Sequence, residues 1–379
     1  MRREDLDRLS RPYPAGGRPE RRLGEALGVP LPAVANLHDA VAADLDERVY
    51  GVGWWAPHPG TSRRILISDH LIQCVASIPR NLVEARLHLL EAFDCWQRES
   101  DFVADAASLG RDGRLQIRLP SRVKPADDLP HALASLHVAG FFRAVIAALD
   151  CLGASVVGVL ALPVRILRAD LRMSQAALAR VEAGSSRGAA LQTAVAAALE
   201  GLAGEVGPIG WLDWTLAFRH MLVHRARRLQ FTQLRPRDPL ILGPDGRQVL
   251  RVEALQHLSR DPGLSDVEAL LGRGRQNLVL TERAEATLDG VLRSTLRLVD
   301  GTAGHLLEAW RQRRADPGLL VQPREEWPDV PSSALSDFPG YFPGSVDVDP
   351  GILIGGPDMP RRLITAALTD DRIGEWQHF

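Results

Sequence analysis

Lysine is almost missing from this chain: of 45 basic residues only Lys124 is a lysine, and all the others are arginine. Ala, Gly, Pro and Arg are abundant together, a combination that follows from coding base composition. Arginine richness by itself is therefore no argument for nucleic acid. Net charge is equally scarce. The formal value of −2 at pH 7 excludes a global field that would drive the protein onto a polyanion or an anionic membrane, so any such partner must meet a local basic patch. There are only three cysteines, Cys74, Cys95 and Cys151, widely spaced and odd in number. They form no CxxC pair and no disulfide framework, which points to a reducing compartment. Each lies in an apolar helical stretch and is expected to be a buried packing residue. The opening Met1-Arg2-Arg3-Glu4-Asp5 carries no apolar h-region, so no signal peptide and a cytoplasmic protein are expected. HExxH and GxSxG are missing too. Gly351 to Gly356 (GILIGG) lacks both the P-loop lysine and the GxGxxG order, so no nucleotide fold follows.

What is present reads as a globular protein. Hydrophobic residues make up 45% and charged residues 24% of 379 residues, enough for a sizeable core. Ala144 to Val164 is apolar apart from Asp150 and Ser155, about the length that crosses a bilayer. An aspartate near the centre of a span costs roughly 2.5–3.5 kcal/mol, and His137 and Arg143 precede it on the same helix. A buried central helix and no membrane association are expected.

Along the chain, residues 1–30 are rich in Arg, Pro and Gly without periodicity and are read as flexible. Tyr50 to Trp55 reads as a short extended or loop segment, with Trp54-Trp55 as a buried anchor. From Ile65 to about Leu109 helical spacing dominates, with Pro79 as a kink or a new start. Arg114 to Leu119 alternates as a short strand. Leu129 to about Leu167 reads as a long apolar helix interrupted at Gly153 or Pro163. Shorter helices are expected near 172–182 and 188–203. A further helix is expected from about Trp211 to Leu229, and a hairpin over about 239–252 around Gly243-Pro244-Asp245-Gly246. Thr281 to Arg314 reads as a long helix capped by Thr281. Residues 315–379 form a Pro-rich, irregular tail. The expected architecture is mainly α, a helical bundle over 31–314 with small β-hairpin embellishments.

The chemistry concentrates on the helix from Trp211. At about 100° per residue, Trp211, Trp214, Phe218 and Leu222 share one stripe that faces the core. Asp213, Ala217, His220, His224 and Arg227 gather on the opposite side, and Arg219 lies between the two faces. Imidazoles beside guanidinium groups suit metal-free phosphodiester cleavage. A histidine takes the ribose 2′-OH proton or donates to the leaving oxygen, because its pKa lies near neutrality. An arginine offers planar donors to the charge that builds on the phosphoryl oxygens. One helix offers few such groups, and an isologous dimer would bring two of these helices face to face. Arg225, Arg227 and Arg228 extend a local basic run suited to RNA phosphates. Asp150, an acid within the apolar helix, needs a partner if buried; it is expected to pair with an arginine of the motif helix such as Arg219 or, as the equal alternative, to be a capping or solvent-facing aspartate. His220 and His224 at i, i+4 also have zinc-ligand spacing, but Met221 stands where a metalloprotease carries glutamate. No third ligand is evident, so no metal and no cofactor are expected.

The Arg219-x4-His224 spacing, the polar His220 straight after the arginine, and the late position in a helical domain resemble the HEPN superfamily. That superfamily includes many RNA-cleaving toxins and defence nucleases that act as dimers through this motif. The resemblance covers about residues 65–310 and implies an endoribonuclease with Arg219, His220 and His224 at its centre and Asp150 and Asp213 in support. It further implies RNA as substrate, a homodimer, and an antitoxin or other regulatory protein that holds the activity in check. Members that pair with a nucleotidyltransferase carry a tyrosine two residues past the histidine. Ala226 stands there, which separates this chain from that version. The alternative from the residues alone is a non-catalytic helical binding or scaffold protein, with the hairpin and the tail as partner contacts.

Overall fold

Helices carry most of the described residues in the computed structural model, which describes residues 30–45, 61–109, 115–117, 125–180, 186–224, 230–242, 248–262, 279–319 and 341. In chain order the elements are α1 (Pro32–Asp44), α2 (Thr61–Ala106), β1 (Ala107–Leu109), β2 (Leu115–Ile117) and α3 (Pro125–Leu160). After a 3-10 turn (Ile166–Arg168) come α4 (Leu171–Ala179), α5 (Ser186–Glu205), α6 (Trp211–His224), β3 (Gln230–Leu242), β4 (Gln248–Leu258) and α7 (Ala284–Ala315). Among the described residues the fold is mainly α with two antiparallel strand pairs, β1-β2 and β3-β4. The segments read as a flexible N-terminus and as the Trp54-Trp55 anchor lie outside the described residues, as does the proline tail beyond Leu319 apart from Tyr341.

Two compact units divide the chain, and both draw on the 31–314 stretch. One takes Arg80–Val145 and Asp213–Leu292 with the first thirty residues; the other takes Leu31–Pro79, Ile146–Leu212 and Arg293–Phe379.

In the first unit, apolar spacing on α2 buries Leu82, Ala85, Leu89, Ala92 and Trp96, one stripe at i, i+3, i+7. From α3 come Val138, Phe141, Phe142 and Val145, all buried. The β3-β4 hairpin is longer than the expected 239–252, because its register already begins at Gln230↔Leu258 and runs to Arg237↔Arg251. A shift between Arg237 and Ile241 interrupts the ladder there. Pro239 sits inside that shift, where a residue with no N–H leaves the ladder unpaired. On the other strand, the Ala254 N–H donates to Ser100 Oγ and Gln256 Nε2 to Glu99 Oε2, both at 3.3 Å, which ties β4 to α2.

The second unit is organised around helix ends. Leu31 has no capping side chain, yet the N-terminus of α1 is capped from afar, as Asp300 Oδ1 accepts from the N–H of Ala33 (2.9 Å) and of Val34 (3.3 Å). At the far end of α1, Asp44 accepts from Trp310 Nε1 at 2.9 Å and from Arg314 Nε at 3.2 Å. Asp170 caps α4 through the Met173 N–H at 2.7 Å. The last carbonyls of α4 receive the Gln192 amide, which donates to Ala177, Leu178 and Arg180 at 3.0, 3.1 and 3.0 Å. α3 ends in a Schellman turn: Leu162 N–H donates to Val157 O at 3.0 Å, and Ala161 takes a left-handed φ of 50°. The buried Arg313 guanidinium donates to the terminal carbonyls Gly158 and Val159, and its burial lowers the pKa to about 9.

Of the two breaks expected in the long apolar helix, at Gly153 or at Pro163, the structure has the second, as α3 runs through Gly153 to Leu160 and ends ahead of Pro163. The glycine serves close approach instead, since a Cβ there would sit 2.5 Å from the Asp170 backbone at the start of α4. Pro79 lies inside α2, so it does not start a new helix. α7 begins at Ala284, so Thr281 stands exposed ahead of the helix and does not cap it. Within α3, Ala132–Leu160 is long and apolar enough to cross a membrane by length and composition, and 78% of its most apolar window is buried inside the structure.

Candidate functional site

Aromatic packing fixes α6. Phe218 is fully buried and stacks on Phe142 of α3, with ring centroids 4.4 Å apart. Trp214 meets both rings, at 4.7 Å from Phe218 and edge-on to Phe142 at 5.8 Å, and donates its indole N–H to Ser259 O at 3.3 Å. Thr215 and Met221 complete the buried side of the helix. A helix held by interlocked rings and a hydrogen bond at its edge has a fixed rotation about its own axis. What it shows to solvent is therefore fixed as well.

The outward side carries Asp213, Arg219 and His220, all exposed, with the small Ala217 half-buried between them. Asp213 stands in the first turn, where the helix dipole favours a carboxylate. Arg219 makes no ion pair with any described residue. His224 is the last residue of α6, and its side chain lies outside the described residues together with Arg225, Arg227 and Arg228. Arg235 follows on β3 and is exposed. Asp150 is half-buried on α3 in the second unit, where its charge bears on the Cys151 thiol.

A second constellation in the first unit escaped the sequence reading. His88 of α2 and His137 of α3 meet through their Nδ1 atoms at 3.0 Å. Glu84, one turn before His88, lies 3.7 Å from His88 Nε2 and is paired with Arg143 of α3. Gly140 makes the meeting feasible, because a Cβ at that position would collide with the His88 ring. An Nδ1–Nδ1 contact needs one N–H donor and one lone pair, so it cannot survive with both rings doubly protonated. Burial lowers the His88 pKa, and the His137 and Arg143 charges add to this against the opposing pull of Glu84. The only sequence signal was that an i, i+4 Glu-His pair and a His-x5-Arg pair each lie on one helix. Nothing in the order of residues says that the two helices face each other.

Among the described residues no group of three or more His, Cys, Asp or Glu side chains is placed to hold a metal ion. No family model matches the chain, and no curated protein or solved structure is similar to it.

Proposed function

We propose that the protein is a metal-independent endoribonuclease of HEPN type, acting as a homodimer on RNA under the control of an antitoxin or other regulatory protein. The observation that supports it is the presentation of α6: a helix locked by Phe142, Trp214 and Phe218 on one side exposes Arg219 and His220 on the other. Catalytic groups need such rigidity, because a transition state is stabilised only by donors already in position.

In this reading His224 takes the 2′-OH proton and returns one to the departing 5′-oxygen. Arg219 stabilises the charge on the pentacoordinate phosphorus, and His220 orients the phosphate. The products are a 2′,3′-cyclic phosphate and a 5′-hydroxyl, so DNA is not cleaved. Arg225, Arg227 and Arg228 continue the chain beyond α6 and would hold the RNA backbone.

The test is incubation with a mixed RNA pool in excess EDTA, beside His224→Ala. Cleavage by the parent protein with cyclic-phosphate ends, reduced about 10²-fold or more by the substitution, is the expected result. Equal cleavage by both proteins, or none by either, overturns the reading and leaves a helical binding protein.

A further inference from the structure

The second unit holds a pair of thiols that the proposed nuclease chemistry does not use. Cys74 of α2 and Cys151 of α3 act on each other where the two helices pack closely, since a Cβ at Gly158 of α3 would lie 2.7 Å from Leu71 of α2, and neither is in a disulfide. Behind them, His70 places Nε2 at 3.4 Å from Cys74 Sγ, one helical turn away, and donates to the Ile166 carbonyl. A neutral imidazole committed as donor to a carbonyl keeps a lone pair that can take the Cys74 proton when that thiol attacks. Burial holds the His70 pKa low, so this lone pair is available at neutral pH. The two cysteines differ in access: Cys74 is buried at 8% exposure and Cys151 is half-buried.

We infer that Cys74 and Cys151 form a peroxide-reactive dithiol, in which Cys151 attacks a hydroperoxide and Cys74 resolves the product into an intrachain disulfide. In the first step the Cys151 sulfur bonds to the distal peroxide oxygen as the O–O bond breaks. The alcohol or water leaves with one proton, and Cys151 becomes a sulfenic acid. In the second step Cys74 sulfur attacks Cys151 sulfur, the S–O bond breaks and water departs. His70 accepts the Cys74 proton and passes it to the leaving oxygen. In sum, two thiols lose two electrons to the peroxide bond, with one disulfide, one water and one alcohol (or a second water) as products.

The hydrogen bond from Cys74 favours the ionised form of Cys151 and lowers its pKa, while the Cys74 thiol is driven well above its usual range. That order of ionisation agrees with the order of access. Asp150, next in the chain, opposes the effect by raising the Cys151 pKa, though less than the hydrogen bond lowers it. Cys95 lies in the other unit, with its thiol pushed up by burial, and serves as an internal control.

The test uses the full chain, treated with stoichiometric hydrogen peroxide, quenched with iodoacetamide under denaturing conditions and digested without reductant. The expected product is a linked pair of peptides bearing Cys74 and Cys151, lighter by two hydrogens, with Cys95 alkylated and the link removed by dithiothreitol. Cys74→Ser should stall at a sulfenic acid on Cys151 that dimedone traps, and His70→Asn should slow the link without slowing peroxide consumption. Recovery of both peptides singly alkylated after peroxide treatment overturns the inference. So does oxidation of Cys151 to the sulfinic acid with no link in the parent protein. Peptide mapping of the parent decides this even if a variant fails to fold.

Discussion

Two sets of polar side chains, one in each unit, are used in opposite ways. In the second, Asp300, Asp44, Gln192 and Arg313 each reach a helix end or an indole from a distant part of the chain. In the first, α6 is held by ring packing, and Arg219 and His220 are exposed on its outer side. A polar group committed to a helix terminus has a structural role, and its removal strikes stability. An exposed polar group on a rigid helix is poised toward something outside, and its removal strikes function. The comparison thus separates residues that look alike in the sequence, Arg219 and Arg313 above all.

That separation is tested most sharply by substituting the two arginines. Arg219→Ala should lower RNA cleavage by about 10²–10³-fold with an unchanged melting temperature. Arg313→Ala should cost about 3 kcal/mol in chemical denaturation, since it empties a buried site and strips two helix-end carbonyls of their donor. If both variants lose stability alike, the distinction between the units fails.

Glycines sharpen the comparison at a smaller scale. Gly153→Ala should destabilise by about 1–3 kcal/mol, because its Cβ would meet Asp170 backbone rather than a movable side chain. Gly290→Ala, in the interior of α7 with nothing within 4 Å of the new Cβ, should stabilise by about 1 kcal/mol. Thermal melts of the two variants should move in opposite directions. Loss of the remote cap in Asp300→Ala should cost about 1 kcal/mol, read by the same melts.

The smallest expected effect is on pH. His70 and His88 both have pKa values below the 6.5 of an unfolded chain, chiefly through burial. Above that value both rings are neutral in either state, and their contribution to stability is intact. As pH falls through it the unfolded chain binds protons first, so stability declines until the folded rings are themselves protonated. Denaturant midpoints should therefore fall on acidification through pH 6.5, and less steeply in a His70→Asn, His88→Asn double variant. An equal slope in that variant would mean that other groups set the pH dependence.

Much of the helical framework could be read in advance from local signals. The apolar spacing of Leu82, Leu89 and Trp96 and the Ala-rich run of α5 each imply a helix, and each is observed; in the Trp211 to Leu222 stripe Trp211 and Phe218 are buried and Trp214 and Leu222 half-buried, with Thr215 and Met221 joining the buried side. The hairpin was located but its length underestimated: the reading began it at Pro239, whereas β3 begins at Gln230 and pairs through Pro236 with Val252. At the candidate site the exposed side of His220 was legible from the helical wheel, whereas Arg219, read as lying between the two faces, stands exposed in the structure. The His88–His137 pair was not, because its two partners lie on different helices and no local spacing links them.

The sequence by itself determined the helical class, the core stripe of α6 and the exposed side opposite it, since side-chain direction along a helix follows from its 3.6-residue repeat. Only the tertiary structure decided that Gly153 is a contact and not a break, that Asp300 caps α1, and that Cys74, Cys151 and His70 meet. The physical reason is range. Periodicity is written by neighbours three and four residues apart, whereas a cap, a close approach or a thiol pair joins groups that come together only when separate helices pack.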